Sequence, residues 1–544
     1  MPGSMEYFPD AMPHTRHPSD ISSFPGYELP QLSPPACFAD MPPPPQPMLP
    51  HPSYPMFSPY EVDIKTERQI FVNDVPTRRD STMSTFSTYQ PPASADGLSS
   101  FPEDSWVQSE RHESLQESFT EEPVDFNFFE LPHGTISPNH ETVIQVDDCD
   151  RYLLNHFLDK VLKLIFPVLD ANQHGSARSD VILPALESNT AYLHCCLSIA
   201  ATHMKATEGL ADEQIDNDIV RHRYAAVSEL CNALALDTNH SGILEATLGM
   251  IFFQCSVGRP SDVLPDIAWH QHFEAATSLV LKMELPSLVM QLARSGPQRP
   301  PFNMALASWI DILGSTMMAR QPTFSDTYRD LNMNGGSAGL AELMGCDDRI
   351  MFLISEIACL DVQRRDNYIS EVVLCKYVEV LAAAISAAEP VYTDVQNCFS
   401  STGAIRPKQL AVNITAVFSV AARIYLCALV PGFEPRGPSI VHLIMRFSEY
   451  MNFIPAGPNG FDRSLVWPLL VAGSVSVQGS PFRSMFEERC RSLGDASNFG
   501  SFGRISELLG DVWHINDANA SRGEYKGVHW RDVMQQKGWE FLLI

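Results

Sequence analysis

Leu154-Asn155-His156-Phe157-Leu158-Asp159-Lys160-Val161-Leu162-Lys163-Leu164-Ile165-Phe166-Pro167 is the stretch on which the fold reading turns. Its apolar residues Leu154, Phe157, Leu158, Val161, Leu162 and Ile165 recur at steps of three and four. That spacing lines one face of an α-helix, and Pro167 stops it. The period returns in Leu193, Cys196, Leu197, Ala200 and Met204, and again near 218–236, 242–257, 268–283, 304–319, 347–361, 370–388, 408–429, 438–452, 464–476, 481–493 and 501–513. Strand-like alternation is nearly absent. Loop-forming residues cluster at Ser256–Pro265, Ser295–Pro301, Asn332–Gly339, Pro431–Pro438 and Pro455–Gly460. About twelve helices joined by short loops predict an all-α class, one large domain of packed helices over 146–544. No repeat of fixed period points to a solenoid.

Outward from that domain the composition changes. The 544 residues carry a net charge of −28. Residues 1–150 hold 24 acids against 6 bases, a balance of −18, and residues 151–544 hold the remaining −10. Of 42 prolines, 24 precede residue 140, four of them in the run Pro42-Pro43-Pro44-Pro45. Such a segment buries too little apolar surface to offset its ordering entropy, so residues 1–145 are expected to be a disordered, acidic, Pro-rich tail. The acidity also argues against a broad nucleic-acid grip, which needs clustered Lys and Arg, and against a polybasic membrane surface.

Within the tail, residues 100–132 interleave acids with large apolar side chains: Phe101-Pro102-Glu103-Asp104-Ser105-Trp106, then Phe119-Thr120-Glu121-Glu122-Pro123-Val124-Asp125-Phe126-Asn127-Phe128-Phe129-Glu130-Leu131. This is the composition of activation segments, in which acids keep aromatics in water until they insert into a coactivator groove. Phe119, Phe126, Phe128, Phe129 and Leu131 are the candidate contact residues. The competing reading is a solvated linker whose aromatics dock on its own domain. Ile64-Lys65-Thr66-Glu67 fits the apolar-Lys-x-Glu pattern of SUMO attachment, with Lys65 the acceptor. Arg78-Arg79-Asp80-Ser81 makes Ser81 a candidate phosphosite for a basophilic kinase.

None of the twelve cysteines forms a C-x-x-C pair, and most sit in apolar runs such as Leu193–Leu197 and Tyr425–Leu429, as buried free thiols do. Met1-Pro2-Gly3-Ser4 opens without the basic-then-apolar pattern of a signal peptide. Ala416–Val430, broken by Arg423, and Leu465–Val477 read as too short or too charged to span a bilayer, so the sequons at Asn239, Asn413 and Asn519 are expected to stay idle.

Catalytic patterns fail on context. Gly335-Gly336-Ser337-Ala338-Gly339 matches a nucleophile elbow, but the preceding Arg329–Asn334 has no strand character, and a flexible loop is expected instead. His270 and His272 point to different sides of a helix, and His194, Cys195 and Cys196 splay by about 100° each, so neither set chelates a metal. The basic runs Arg221-His222-Arg223 and Arg364-Arg365 read as solvated helix faces. An enzyme leaves no trace, and no cofactor is expected.

Several phrases of the helical part, in order, carry a resemblance. They are Leu183-Pro184-Ala185-Leu186, Ala191 to Lys205, and Trp269-His270-Gln271-His272-Phe273-Glu274-Ala275-Ala276. Leu343-Met344-Gly345-Cys346-Asp347-Asp348 then runs into Phe352–Ile357, followed by Ala421 to Leu426, Trp467-Pro468-Leu469-Leu470-Val471-Ala472-Gly473, Phe482 to Cys490, and Asp511-Val512-Trp513. The ordered set resembles the fungal-specific transcription factor domain, in the subtype that follows a binuclear zinc cluster. The closing Val528–Trp539 is most similar to zinc-cluster regulators of sexual, fruiting-body development.

One departure is large. The family's DNA-binding module holds two zinc ions on six cysteines with two C-x-x-C pairs, and this chain has no such pair. Residues 1–145 resemble the linker after that module, so the expected reading is a start downstream of it. The resemblance implies a nuclear regulator of RNA polymerase II transcription that controls sexual development. Its partners would be coactivators or corepressors and a second copy or a related factor. DNA would be reached only through the missing cluster, zinc would be bound only if an upstream cysteine cluster exists, and no membrane is involved. The alternative is a helical adaptor or scaffold that does not bind DNA and contacts other regulators.

Overall fold

Leu154, Phe157, Leu158, Val161, Leu162 and Ile165 are all buried, as their spacing predicts, yet they do not lie on one regular helix. In the computed structural model α1 (Arg151–His156) passes through a π-turn (Phe157–Val161) into α2 (Leu162–Ile165). Pro167 stops that pattern and starts α3 (Pro167–Ala171), because its fixed φ and missing N–H suit a first helical turn. The structure describes residues 144–172, 178–208, 213–258, 268–296, 299–523 and 527–544.

The helices that follow are α4 (Leu183–Ser188), α5 (Thr190–Glu208), α6 (Glu213–Leu236), α7 (His240–Val257), α8 (Trp269–Lys282), α9 (Leu285–Ser295) and α10 (Phe302–Met318). Next come α11 (Ser325–Met333), α12 (Leu340–Met344), α13 (Asp348–Arg365), α14 (Glu371–Ala388), α15 (Pro407–Ala428) and α16 (Pro438–Met451). The chain closes with α17 (Val466–Ser474), α18 (Pro481–Leu493), α19 (Gly500–Ser521) and α20 (Trp530–Lys537). Among the described residues the only β pairing is an isolated bridge between Phe399 and Ile405. The all-α expectation holds. The structure adds short helices, α9, α11, α12 and α20 among them, that lie outside the periodic patterns.

Two groups of helices share one core. In the first, α5 packs on α6 and α7, and α1 packs on α5. In the second, α15 packs on α13, α14, α16 and α17. Two helices join the groups: α10 meets α7 and α13, and α19 meets α7 and α17. At the centre, all nine residues of α17 are buried. Trp467 stacks on Phe418 of α15 at 5.9 Å, meets Tyr425 edge-on, and donates from Nε1 to Thr316 Oγ1 of α10 at 2.8 Å. At Gly473 an added Cβ would lie 2.6 Å from Leu509 of α19, so the close crossing of α17 and α19 depends on that glycine.

Helix α15 is long and apolar enough to cross a membrane by length and composition, longer than the stretch read from sequence, but 78% of its apolar window is buried inside the protein. It is the core helix of the second group. Its Asn413 is wholly buried, donating to the carbonyls of Gln396 at 2.7 Å and Phe453 at 2.9 Å, a position closed to a glycan. Among the described cysteines, Cys195, Cys196, Cys255, Cys346, Cys359 and Cys398 are buried free thiols, and Cys149 and Cys375 are exposed.

Trp467→Ala removes the side chain that joins α10, α15 and α17. The expected loss is about 3–5 kcal/mol by urea unfolding of the full chain, and a loss under about 1 kcal/mol would contradict this account of the core.

Candidate functional site at the start of the helical domain

The helical domain begins with a polar cluster where the chain coming from the tail meets α5 and α6. Backbone turns place it: Asp150 N donates to Asp147 O at 2.9 Å, and Leu153 and Leu154 then donate to Asp150 O to start α1. Asp150 and Asp218 of α6 are almost fully buried. Arg221, one turn further along α6, reaches both: Nη1 and Nη2 fork onto the two Asp150 oxygens, and Nη2 also donates to Asp218 Oδ1 at 2.9 Å. Tyr152 donates to Asp218 Oδ2, and Gln214 Nε2 donates to Asp218 Oδ1 at 3.1 Å. One guanidinium thus clamps the first turn of α1 onto α6.

Behind the clamp are two histidine pairs. His222 is wholly buried, with Nε2 3.3 Å from Asp150 Oδ1 and Nδ1 3.0 Å from Nδ1 of His194 on α5. The His194 and His222 rings stack at 5.2 Å. Two turns along α1 and α5, His156 Nε2 meets His203 Nδ1 at 2.9 Å, and the His203 ring sits edge-on to Phe499.

Electrostatics follow from burial. Desolvation alone would raise the Asp150 carboxyl, but the Arg221 hydrogen bonds and the neighbouring cation outweigh it and hold the group below the usual carboxylate range. Asp218 is held low in the same way by Tyr152 and Arg221. Burial lowers His194 and His222, and it brings His203 down to about 3, with His156 and Arg463 adding to the shift. His194, His222 and His203 are therefore neutral in the folded protein at neutral pH.

As a metal site the cluster is poor. Asp147, Cys149 and Asp150 bring one ligand atom each within 4.8 Å of one another. Both Asp150 oxygens are already taken by Arg221, and desolvation and the Asp150 carboxylate hold the Cys149 thiol above its ordinary value, away from the thiolate a metal needs.

The structure corrects one sequence reading here. Arg221-His222-Arg223 is not a solvated face: Arg221 is spent on two buried carboxylates and His222 faces the core. The signal was present, since Ile215, Ile219, His222, Ala226 and Leu230 lie on one helical stripe, all buried. In the other basic run Arg364 pairs with Asp361 at 3.3 Å and Arg365 donates to the carbonyl of Ala319.

Other sequence candidates fall as follows. His194 turns to His222, while burial pushes the Cys195 thiol up to about 12 and raises the Cys196 thiol well above its ordinary value, away from the thiolates a metal needs. The His270 ring lies against Trp269, whereas burial and Arg223 bring His272 down to about 4. Residues 335–339 form a loop, preceded by helix α11 where an elbow needs a strand. Ser337 Oγ donates to Asp348, whose carboxylate also takes the amides of Ala338 at 2.9 Å and Leu340 at 2.8 Å. Lys65, Ser81, Phe119, Phe126, Phe128, Phe129 and Leu131 lie outside the described residues, as does Cys37.

The model of the fungal specific transcription factor domain matches residues 152–544, starting inside this junction and running through every helix packed behind it. The chain belongs to that family. It is 50% identical to a transcriptional regulatory protein of Neurospora crassa over 518 residues, 90% of this chain and 74% of that one. It is 22% identical to a pestheic acid cluster transcriptional regulator of Pestalotiopsis fici, over 78% of this chain and 81% of the relative. It is 23% identical to a trichothecene biosynthesis transcription regulator of Trichoderma arundinaceum, over 72% and 97%. No solved structure matches. The chain is a fungal transcription regulator, and the junction is where its family domain begins.

Acid should loosen this regulator. His203 binds its proton only near pH 3 when folded but near 6.5 when unfolded, so the unfolded state takes up the proton first and stability is lost as pH falls below about 6.5. The loss from this one group is roughly 2 kcal/mol at pH 5. Melting temperature should drop between pH 7.5 and 5, and His203→Gln should lower stability at pH 7.5 while shrinking the pH difference. A wild-type melting temperature independent of pH over that range would refute it.

Proposed function

We propose that the chain is the regulatory part of a nuclear zinc-cluster type factor that controls RNA polymerase II genes of sexual development. The observation that carries this reading is the family domain over 152–544 preceded directly by an acidic, aromatic-rich stretch. The domain boundary near 145 sits next to the Asp150–Arg221 clamp, which would transmit changes in the helical domain to whatever the tail carries. The closing Val528–Trp539 phrase supports the developmental assignment, through its similarity to fruiting-body regulators.

In this reading residues 100–132 contact coactivators or corepressors, with Phe119, Phe126, Phe128, Phe129 and Leu131 as the buried anchors. A disordered segment gains binding energy mainly by burying large apolar side chains, while its acids steer the encounter. Lys65 and Ser81 are the sites at which conjugation or phosphorylation would adjust that contact. The helical domain pairs with a second copy or a related factor. It performs no catalysis and holds no cofactor. DNA is reached through a zinc cluster supplied outside these residues.

Fusing residues 100–145 to a heterologous DNA-binding module tests the activation part. The parent fusion should activate a reporter, and replacing Phe126, Phe128 and Phe129 together by Ala should abolish most of the output. Glu121→Gln with Glu122→Gln should do less harm. A silent parent, or an undiminished triple variant, would leave the solvated-linker reading in its place.

A second measurement concerns DNA. With a net charge of −28 and no zinc module, the chain has little basic surface with which to release counterions from a duplex. A fluorescence titration at about 50 mM salt should show no sub-micromolar duplex binding. Tight binding would mean that the helical domain itself reads DNA, against this proposal.

A further inference from the structure

We infer that the outward face of α14 is a docking surface for a second copy of this chain, paired antiparallel about a two-fold axis. The inference deepens the pairing named in the proposed function and rests on that reading.

Helix α14 reads Glu-Val-Val-Leu-Cys-Lys-Tyr-Val-Glu-Val-Leu-Ala-Ala-Ala-Ile-Ser-Ala-Ala, yet only Leu374, Leu381 and Ile385 are buried. These three point toward α13 and α15, on which the helix packs. At about 100° per residue, Val372, Val373, Lys376, Val380, Ala383 and Ala387 all fall within an arc of about 100° on the other side. Val372 is 69% exposed and Val380 50%, and Tyr368, just ahead of the helix, is 63% exposed. A surface helix normally turns polar residues outward, so an apolar outer face of this length marks an interaction site. The helix is also firmly held. Arg423 of α15 donates to Ser386 Oγ at 2.6 Å and Glu389 at 3.0 Å, and Arg446 of α16 pairs with Glu389. A cavity of 510 Å³ lies beside its first half, against Val430 and Pro431.

Three features select a second copy as the occupant. First, the face is graded: Tyr368, Val372 and Val373 are bulky at one end, and Ala383 and Ala387 are small at the other. An antiparallel copy sets bulky against small, Val372 against Ala383, whereas a parallel copy would set bulky against bulky. Second, Lys376 and Glu379 are one turn apart on this face, and the same two-fold axis brings each Lys376 opposite the Glu379 of the other copy. This is the self-complementarity an isologous interface requires. Third, the chain's own tail is a poor occupant. Its first 150 residues carry −18, and the exposed ionisable side chains bordering this groove are Glu371, Lys376 and Glu379, which offer an acidic segment no net attraction.

The test uses the full chain. Sedimentation equilibrium should show a monomer–dimer equilibrium in the micromolar range, and Val380→Glu should shift it to monomer with an unchanged melting temperature. Lys376→Glu alone and Glu379→Lys alone should each weaken pairing about tenfold or more by placing like charges opposite one another. The double variant Lys376→Glu with Glu379→Lys should restore it. In this geometry the two Cys375 side chains are offset by about 7.5 Å along the helices, so a short bismaleimide should cross-link them. Cys375→Ser should abolish the product, and Cys37→Ser with Cys149→Ser should leave it. A wild-type chain that stays monomeric, a dimer indifferent to Val380→Glu, or a double swap without rescue would each overturn the inference. None of those outcomes changes the reporter result of residues 100–145, so failure of the pairing surface and failure of the activation reading are told apart.

Discussion

Asp150, Asp218, Asp311, Asp361 and Asp462 are each no more than 3% exposed, and the packing of this all-helical protein depends on how their carboxylates are satisfied. Many short helices bring many helix ends and connections inside, and each end carries backbone groups without an intrahelical partner. A short acid on a neighbouring element answers several at once. Asp311 of α10 takes the amides of Thr323 and Phe324 and the Tyr328 hydroxyl, and so builds the turn that starts α11. Asp462 takes the amide of Gly457 and the guanidinium of Arg489, whose other arm reaches the carbonyls of Met451 and Ile454 at the end of α16. Asp361 gathers Arg364, Tyr425 of α15 and Arg531 of α20. A buried charge costs several kcal/mol unless it is paired and hydrogen-bonded, so the arrangement tolerates little slippage. The contrast within the set is physical: burial raises Asp311, which pairs with no cation among the described residues, while Arg531 overcomes the burial penalty and holds Asp361 low.

The Asp150–Arg221 clamp applies this device to a boundary. On its helical side are α5 and α6, which pack along one another. On its other side the chain leads back to the acidic tail. Any change in the tilt of α6 moves Arg221, and with it the first turn of α1. Under the proposed function, that is the place where an event in the helical domain would reach whatever lies ahead of residue 144. Behind the clamp, burial lowers His194, His222 and His203, so Arg221 is the cation that satisfies the two carboxylates.

Much of the fold was legible because long amphipathic helices write their period plainly. The patterns at 370–388, 408–429 and 481–493 coincide with α14, α15 and α18 to within a residue. The short helices were not legible, for identifiable reasons. α11 buries only Ser325, Tyr328 and Leu331, too few for a period, and it exists because Asp311 binds the turn before it. α12 spans five residues between Gly339 and Gly345, both at positive φ, and depends on Asp348 for its first amides. α9 begins after Glu284 at φ 54°, a reversal no hydropathy pattern announces. The candidate site was half legible. His222 sits on the apolar stripe of α6 and was readable there, but its partners Asp150 and His194 come from other elements 72 and 28 residues away and meet it only through tertiary packing. The family was legible from phrases because those phrases are tertiary constraints: Trp467 and Gly473, in one of them, are the residues that let α17 fill the centre between α10, α15 and α19.

Charge placement extends the same reasoning to the surface. Two copies of a chain at −28 repel at long range, yet at physiological ionic strength that repulsion is screened beyond about 8 Å. What decides association is then the handful of groups brought within that distance. On α14 those groups are valines, alanines, Glu371 and a Lys376–Glu379 pair that would answer itself across the proposed two-fold axis, and the acidic segments that dominate the net charge are remote in sequence. The helix differs from α6 in this respect. The exposed side chains of α6 include Glu213, Asp216 and Glu229, charges that water satisfies and a second copy would have to desolvate. A protein that carries most of its surplus acid in the tail, and on α14 only Glu371, Lys376 and Glu379, would separate the charge that repels other copies at long range from the face proposed to pair.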